Sequence, residues 1–301
     1  MIGAIIGDIV GSRFEFNNFK SKKFDLFHKD CFFTDDTVMS LAICKAFLEV
    51  KKADFSDLQA KTILYMQDIG REYPFCGYGG MFYKWIFGDN PQPYNSFGNG
   101  AAMRVSSCAY VAKSLDEAKK LAHICTVITH NHPEGLKGAE ALTVATFLAL
   151  HGAKIPEIKA EIVKNYYPLD FSLDEIRPSY TFNETCQNTV PQALVAFFES
   201  KSFEDAIRNT ISLGGDADTL GAITGAVAGA YYGVSEEFRN KALSYLDEWL
   251  EQILLDFEKR FVKKIDDLLS GFLFHLKIKI LYKIRLCSDF PIPRIIPCNQ
   301  K

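Results

Sequence analysis

Apolar side chains recur along most of the chain at the three- and four-residue intervals of an α-helix, and the two-residue alternation of a half-buried strand is nearly absent. Val38, Leu41, Ala42, Cys44, Phe47 and Leu48 predict a helix from about Asp36 to Val50. Equivalent patterns predict helices over 57–70, 100–112, 115–128, 134–151, 156–166, 190–200 and 236–262. Ser114-Leu-Asp-Glu117 and Ser172-Leu-Asp-Glu175 read as capping boxes, and Pro156 and Pro191 are expected at helix starts, where a missing N–H costs little. The apolar run from Leu220 to Val234 carries Gly221, Gly225 and Gly229 at four-residue spacing beside Ala222, Ala226 and Ala230. It is too short to cross a bilayer and predicts a central helix that lies very close to its neighbours. The stretch from Pro74 to Gly100, rich in glycine and aromatic residues, is expected to be the longest irregular segment and a binding loop.

Composition narrows the class. With 301 residues, 48% of them hydrophobic, the chain can bury a full core as one large domain or two small ones. A formal net charge of -3 gives no general attraction to polyanions, so nucleic acid is not expected as an obligate partner. The opening MIGAIIGDIVGSRFEF is apolar but lacks a basic leader, and Asp8 interrupts it, so neither a signal peptide nor a transmembrane segment is expected. Cys31, Cys44, Cys76, Cys108, Cys125, Cys186, Cys287 and Cys298 form no CxxC pair, which fits thiols in a reducing compartment and predicts a cytoplasmic location.

The first chemical signal is Phe33-Thr34-Asp35-Asp36-Thr37, where a loop ends and a helix begins. A helix cap needs one residue of this kind, and the segment supplies four. The second, Gly214-Gly215-Asp216-Ala217-Asp218-Thr219, repeats the chemistry at the head of the small-residue helix. Neighbouring carboxylates repel one another unless a cation offsets them, and neither motif contains Lys or Arg. Brought together, the two turns would form a cage of hard oxygen donors, suited to Mg²⁺ or Mn²⁺ rather than zinc, and four carboxylates suit two ions. Other metal chemistries fit worse. None of the six histidines has a Glu three residues before it, as a di-iron bundle needs, and His130-Asn-His132 sits in a chain without the strands of a metal-hydrolase barrel.

Five motifs in order, Gly3-Ala-Ile-Ile-Gly7-Asp8 through Glu15, Thr34-Asp-Asp-Thr37, Phe97-Gly-Asn-Gly-Ala-Ala-Met-Arg104, Thr129-His130 and Gly215-Asp-Ala-Asp-Thr219, resemble the ADP-ribosyl-glycohydrolase family. The resemblance runs from Met1 to about Phe261. It implies an all-α fold, an orthogonal multi-helix bundle with a binuclear metal cleft holding two Mg²⁺ (or Mn²⁺). Thr34, Asp35 and Asp36 would bind from one side and Asp216, Asp218 and Thr219 from the other. Phe97, Gly98, Asn99 and Gly100 match the substrate loop, with glycine backbone N–H groups approaching the diphosphate. Arg104, His130 and His132 are further substrate-side candidates.

The implied reaction is hydrolysis at the anomeric carbon of the distal ribose of an ADP-ribosylated substrate, with Glu15 or Asp36 as base. A catalytically silent ADP-ribose-binding relative and a metal-dependent phosphohydrolase remain alternatives. Tyr78, Phe82, Tyr83, Trp85 and Phe87 are expected to line the acceptor side. The catalytic domain is expected over 1–264, as a monomer. Residues 265–301 form an extension whose segment 271–286, GFLFHLKIKILYKIRL, mixes basic and large apolar side chains.

Overall fold

The computed structural model describes residues 1–262, and the chain divides into two units, Met1–Glu258 and Lys259–Lys301. The extension and its basic, apolar segment therefore lie outside the described residues. The first unit is helical throughout and contains no strand among the described residues, which agrees with the periodicity. Its helices are α1 Ile2–Gly11, α2 Asp35–Glu49, α3 Leu58–Glu72, α4 Gly80–Phe87, α5 Gly100–Met103, α6 Ser107–Val111, α7 Leu115–Val127, α8 Pro133–Leu150, α9 Ile155–Asn165, α10 Leu173–Ile176, α11 Cys186–Phe198, α12 Phe203–Ile211, α13 Ala217–Tyr232, α14 Glu236–Leu243 and α15 Glu248–Phe257. None is long and apolar enough to cross a membrane.

The centre is an antiparallel pair, α1 against α13. Every residue of α1 is buried, as are Ala217 through Ala228 of α13, which is what a helix apolar on all sides requires. The four-residue glycine spacing of α13 meets the same spacing in α1. A Cβ on Gly3 would stand 2.3 Å from the Gly225 carbonyl oxygen, one on Gly7 1.9 Å from that of Gly221, and one on Gly11 2.3 Å from that of Ala217. No side chain fits between these backbones. Around the pair, α8, α11 and α12 pack on α13, while α2 packs on α3 and α15. This arrangement sets the C-terminal end of α1 beside the N-terminal end of α13.

Five expectations are corrected. Pro191 lies inside α11, not at its start, because the antiparallel bridge between Gly98 and Thr185 and the Cys186 N–H to Phe97 carbonyl bond of 3.0 Å start the helix earlier. The predicted helix 100–112 breaks into α5 and α6, because Arg104, wholly buried between them, turns inward to reach Thr129. The predicted helix 236–262 breaks before Asp247, whose carboxylate caps the Leu250 N–H at 2.9 Å and accepts from the Tyr73 hydroxyl at 2.6 Å. Pro74 to Gly100 contains α4, and the longer irregular stretch is 15–34, folded over a cluster of Phe14, Phe19 and Phe24. Ser172 and Glu175 form the predicted capping box, whereas Glu117 accepts from the Lys113 N–H and leaves Ser114 a simple cap.

Candidate active site

Asp8 is a fully buried carboxylate in an otherwise apolar helix, and the head of α2 compensates it. Its oxygens accept from the Thr34 N–H at 3.0 Å, the Thr34 hydroxyl at 2.7 Å, the Thr37 N–H at 3.1 Å and the Thr37 hydroxyl. Backbone donors at a helix N-terminus suit a negative charge. Thr34 is also the α2 cap, accepting from the Asp36 N–H at 3.3 Å. These bonds lock α2 to α1 and orient Asp36, whose Oδ2 accepts from the Thr219 hydroxyl of α13 at 3.1 Å.

The second acidic motif is delivered by a turn that only glycine tolerates. Gly214 and Gly215 have φ of +66° and +76°, and a Cβ on Gly214 would lie 2.3 Å from Asn18 Oδ1. Lys20 Nζ ties the turn down by donating to the Tyr180 and Leu213 carbonyls. Asp216 then precedes α13 and accepts from Asn99 Nδ2 at 2.6 Å, while Asp218 lies in its first turn.

Two groups of three carboxylates result. One oxygen each from Asp8, Asp36 and Asp218 lie within 4.8 Å of one another, as do one each from Glu15, Asp216 and Asp218. Asp218 belongs to both. Asp8, not singled out as a ligand from the sequence, completes the first group; its signal was a lone acid inside a small-residue, apolar helix. Asp35 belongs to neither group, although it faces the same cleft. Thr34 is taken up by capping and by Asp8, and Thr219 lies on the cleft wall.

The electrostatics are those of an uncompensated acidic cage. Burial first, then neighbouring carboxylates, push Asp35, Asp36 and Asp218 well above the usual carboxylate range. Burial and the charges of Asp218, Asp8 and Glu184 push Glu15 up to about 8, and burial pushes Asp216 up to about 6. Among the described residues no Lys or Arg forms an ion pair with any of these groups. Asp36 Oδ1 is buried and has no hydrogen-bond partner among the described residues. A buried acceptor left open beside converging carboxylates fits a hard divalent cation.

A cleft of about 690 Å³ opens over this floor. Glu15, Asp35, Asp216, Asp218 and Thr219 line its base, and Phe97, Gly98, Asn99, Gly100, Arg104 and His130 line a wall. Asp36 is buried beneath and does not reach the surface of the cleft. The glycine loop is held by the segment before α11, with the Asn99 N–H donating to the Glu184 carbonyl at 2.7 Å, and the Gly98 N–H is taken by Ser96 Oγ at 3.1 Å. Only the Gly100 N–H of the three has no acceptor among the described residues, so the loop offers fewer free backbone donors than its glycines suggest.

His130 lies behind this loop, 4% exposed, with Nε2 3.5 Å from where a Gly98 Cβ would stand. His132 instead caps α8, accepting from the Glu134 N–H at 3.1 Å, and sits against the Phe97 ring without lining the cleft. Of the aromatics expected on the acceptor side, only Phe82 lines the cleft. Trp85 is buried in a stack on Phe82, and Tyr83 pairs with Phe87, 42% and 39% exposed. Phe182, stacked on Phe16 at 5.9 Å, lines the cleft from a segment that the periodicity left unassigned.

The cleft thus joins a small-residue helix pair, a carboxylate cage that could hold a metal ion, and a glycine loop. The family model described as ADP-ribosylglycohydrolase matches residues 1–267, and the chain belongs to that family. Among curated relatives it is similar to "ADP-ribosylhydrolase ARH3" of Xenopus tropicalis, 25% identical over 84% of this chain and 93% of that protein. It is also similar to "ADP-ribosyl-[dinitrogen reductase] glycohydrolase" of Rhodospirillum rubrum, 29% identical over 79% of each chain. "ADP-ribosylarginine hydrolase Tri1" of Pseudomonas putida is 28% identical over 84% of this chain and 72% of its own length. A solved structure titled "ADP-ribosylglycohydrolase-related protein complex" shares the fold, with a TM-score of 0.64 at 23% identity over 86% of this chain and 95% of that chain.

Proposed function

We propose that this protein hydrolyses the glycosidic bond between ADP-ribose and an acceptor, releasing ADP-ribose, with two Mg²⁺ or Mn²⁺ ions held by Asp8, Asp36, Asp216, Asp218 and Glu15. The observation that carries this reading is the pair of carboxylate groups sharing Asp218 at the base of the cleft, with one buried Asp36 oxygen left open. Thr219, Asp35 and Thr34 support the same site from its margins. When bound, such ions supply positive charge that polarises substrate oxygens and makes water a stronger acid.

The chain's own groups do the rest. Loss of the acceptor leaves positive character on the ribose, and the carboxylates facing the cleft favour that charge. Glu15 is the better base of the two candidates, because it lines the cleft while Asp36 is buried beneath it. Lining the floor of the cleft, Glu15 is placed to take a proton from the attacking water and return it to the leaving group. Asn99 fixes Asp216 and, with Gly98, Gly100, Phe97 and His130, forms the wall on which the ADP-ribose half is held. The thiols free of disulfides among the described residues support a reducing, cytoplasmic setting.

The test is to incubate the protein with an ADP-ribosylated protein, and separately with free ADP-ribose, whose diphosphate a phosphohydrolase would cleave, with and without a chelator. Release of ADP-ribose that stops on chelation is expected. Release of AMP from ADP-ribose would make it a phosphohydrolase, and tight binding without turnover would make it a silent relative.

A further inference from the structure

Arg104 is wholly buried and has no carboxylate partner among the described residues, an expensive arrangement that packing alone does not explain. Its guanidinium lies over the Phe82 ring, 5.1 Å from the centroid. Nη2 donates to Thr129 Oγ1 at 2.5 Å and stands 3.2 Å from His130 Nδ1, while Thr129 Oγ1 is 2.7 Å from that same nitrogen. A guanidinium carries only donors. An Nδ1–H could donate to Thr129 Oγ1 but would set its hydrogen against those of Arg104 Nη2, whereas a bare Nδ1 accepts from Arg104 Nη2 and from the Thr129 hydroxyl alike, so the geometry favours Nδ1 as the accepting nitrogen. A neutral imidazole then carries its proton on Nε2. That nitrogen lies against the substrate wall, 3.5 Å and 3.6 Å from where Cβ atoms on Gly98 and Gly100 would stand. Burial and the Arg104 charge also hold His130 far below its ordinary pKa, which keeps the ring neutral.

We infer that Arg104, with Thr129, is a positioning residue that fixes His130 as the Nε2–H tautomer, so that this N–H is presented to a phosphate or ribose oxygen of ADP-ribose at the Gly98–Gly100 loop. The inference rests on the proposed function for its ligand, but the tautomer itself does not. The relay gives Nη2 of this buried cation its partners, while Nε and Nη1 have none among the described residues. Arg104 acts on the substrate through the ring that it orients.

The experiment is ¹⁵N NMR of the histidine rings of the whole protein, together with ADP-ribose affinity by calorimetry in a double-mutant cycle of Arg104→Gln and His130→Ala. The wild-type spectrum should show His130 protonated on Nε2. Arg104→Gln should mix the two tautomers and weaken ADP-ribose binding by about tenfold, the scale of one hydrogen bond to a charged group. In the His130→Ala background the same substitution should have no further effect, and Arg104→Lys, still a pure donor, should restore the tautomer. A wild-type His130 protonated on Nδ1, or equal losses from Arg104→Gln with and without His130, would overturn the inference. The spectrum of the wild type decides the point even if Arg104→Gln fails to fold. A wild type that does not bind ADP-ribose would instead count against the proposed function.

Discussion

Gly7 of α1 and Gly221 of α13 face each other so closely that the backbone of each occupies the space a Cβ on the other would need, 1.9 Å from a carbonyl oxygen in one direction and 2.2 Å in the other. The contact lies one residue from Asp8, so packing and site share one point of failure. Gly7→Ala is expected to destabilise the fold by at least about 2–3 kcal/mol, as overpacking against backbone has no cheap relief. Thermal unfolding checks this, and an unchanged Tm would mean that the two helices can separate without cost.

Asp218 is common to both carboxylate groups, whereas Asp35 belongs to neither. Asp218→Asn is therefore expected to weaken Mn²⁺ or Mg²⁺ binding by more than about 100-fold at both positions, since even indirect partners of ligands are worth 10–100-fold. Asp35→Ala should lower turnover with a smaller loss of metal. Calorimetric titration of each variant checks the order, and retention of two tight ions in Asp218→Asn would remove the shared ligand.

The raised carboxyl pKa values set the sign of a pH effect on the metal-free protein. Glu15 at about 8 and Asp216 at about 6 hold protons more tightly in the folded state than in the unfolded chain. The folded state then binds more protons between roughly pH 4 and those values, so stability falls as pH rises through this window. The Tm of the chelated protein should drop from about pH 5 to about pH 8, and saturating Mg²⁺ should reduce the drop by offsetting the charge. A metal-free Tm that climbs over this range would contradict it.

Gly100 opens α5 beside His130, with the nearest ring atom 3.6 Å from where its Cβ would be. Gly100→Val would put branched methyl groups on the wall proposed for ADP-ribose, and should weaken that ligand about tenfold while leaving metal binding intact. Unchanged affinity by calorimetry would move the diphosphate elsewhere in the cleft.

Every proposed metal-binding and substrate-binding residue precedes Leu220, and the unit that carries them ends at Glu258. Truncation after Lys264 is expected to preserve metal binding and hydrolysis. A folded truncation that had lost hydrolysis would show that residues beyond 264 contribute to the site.

The sequence alone determined the parts that depend on local chemistry. Helical periodicity marks α2, α3, α7, α8 and α9 to within a residue or two: α3, α7 and α9 each bury one face, and α2 and α8, buried on nearly all sides, begin at clear start signals in Thr34 and in His132-Pro133. Both acidic motifs and the glycine loop stand out because adjacent carboxylates and glycines have few local uses. What decided the rest was position in space. Asp8 looked like an interruption in an apolar run until the antiparallel glycine contact brought it to Asp36 and Asp218. The pattern separated neither His130, turned to the substrate wall by Arg104, from His132, spent on capping α8, nor Phe82 from its solvent-facing aromatic neighbours. Periodicity reports which face of a helix is apolar. Which residue of another helix meets that face depends on long-range packing, and here on two backbones close enough to exclude any side chain.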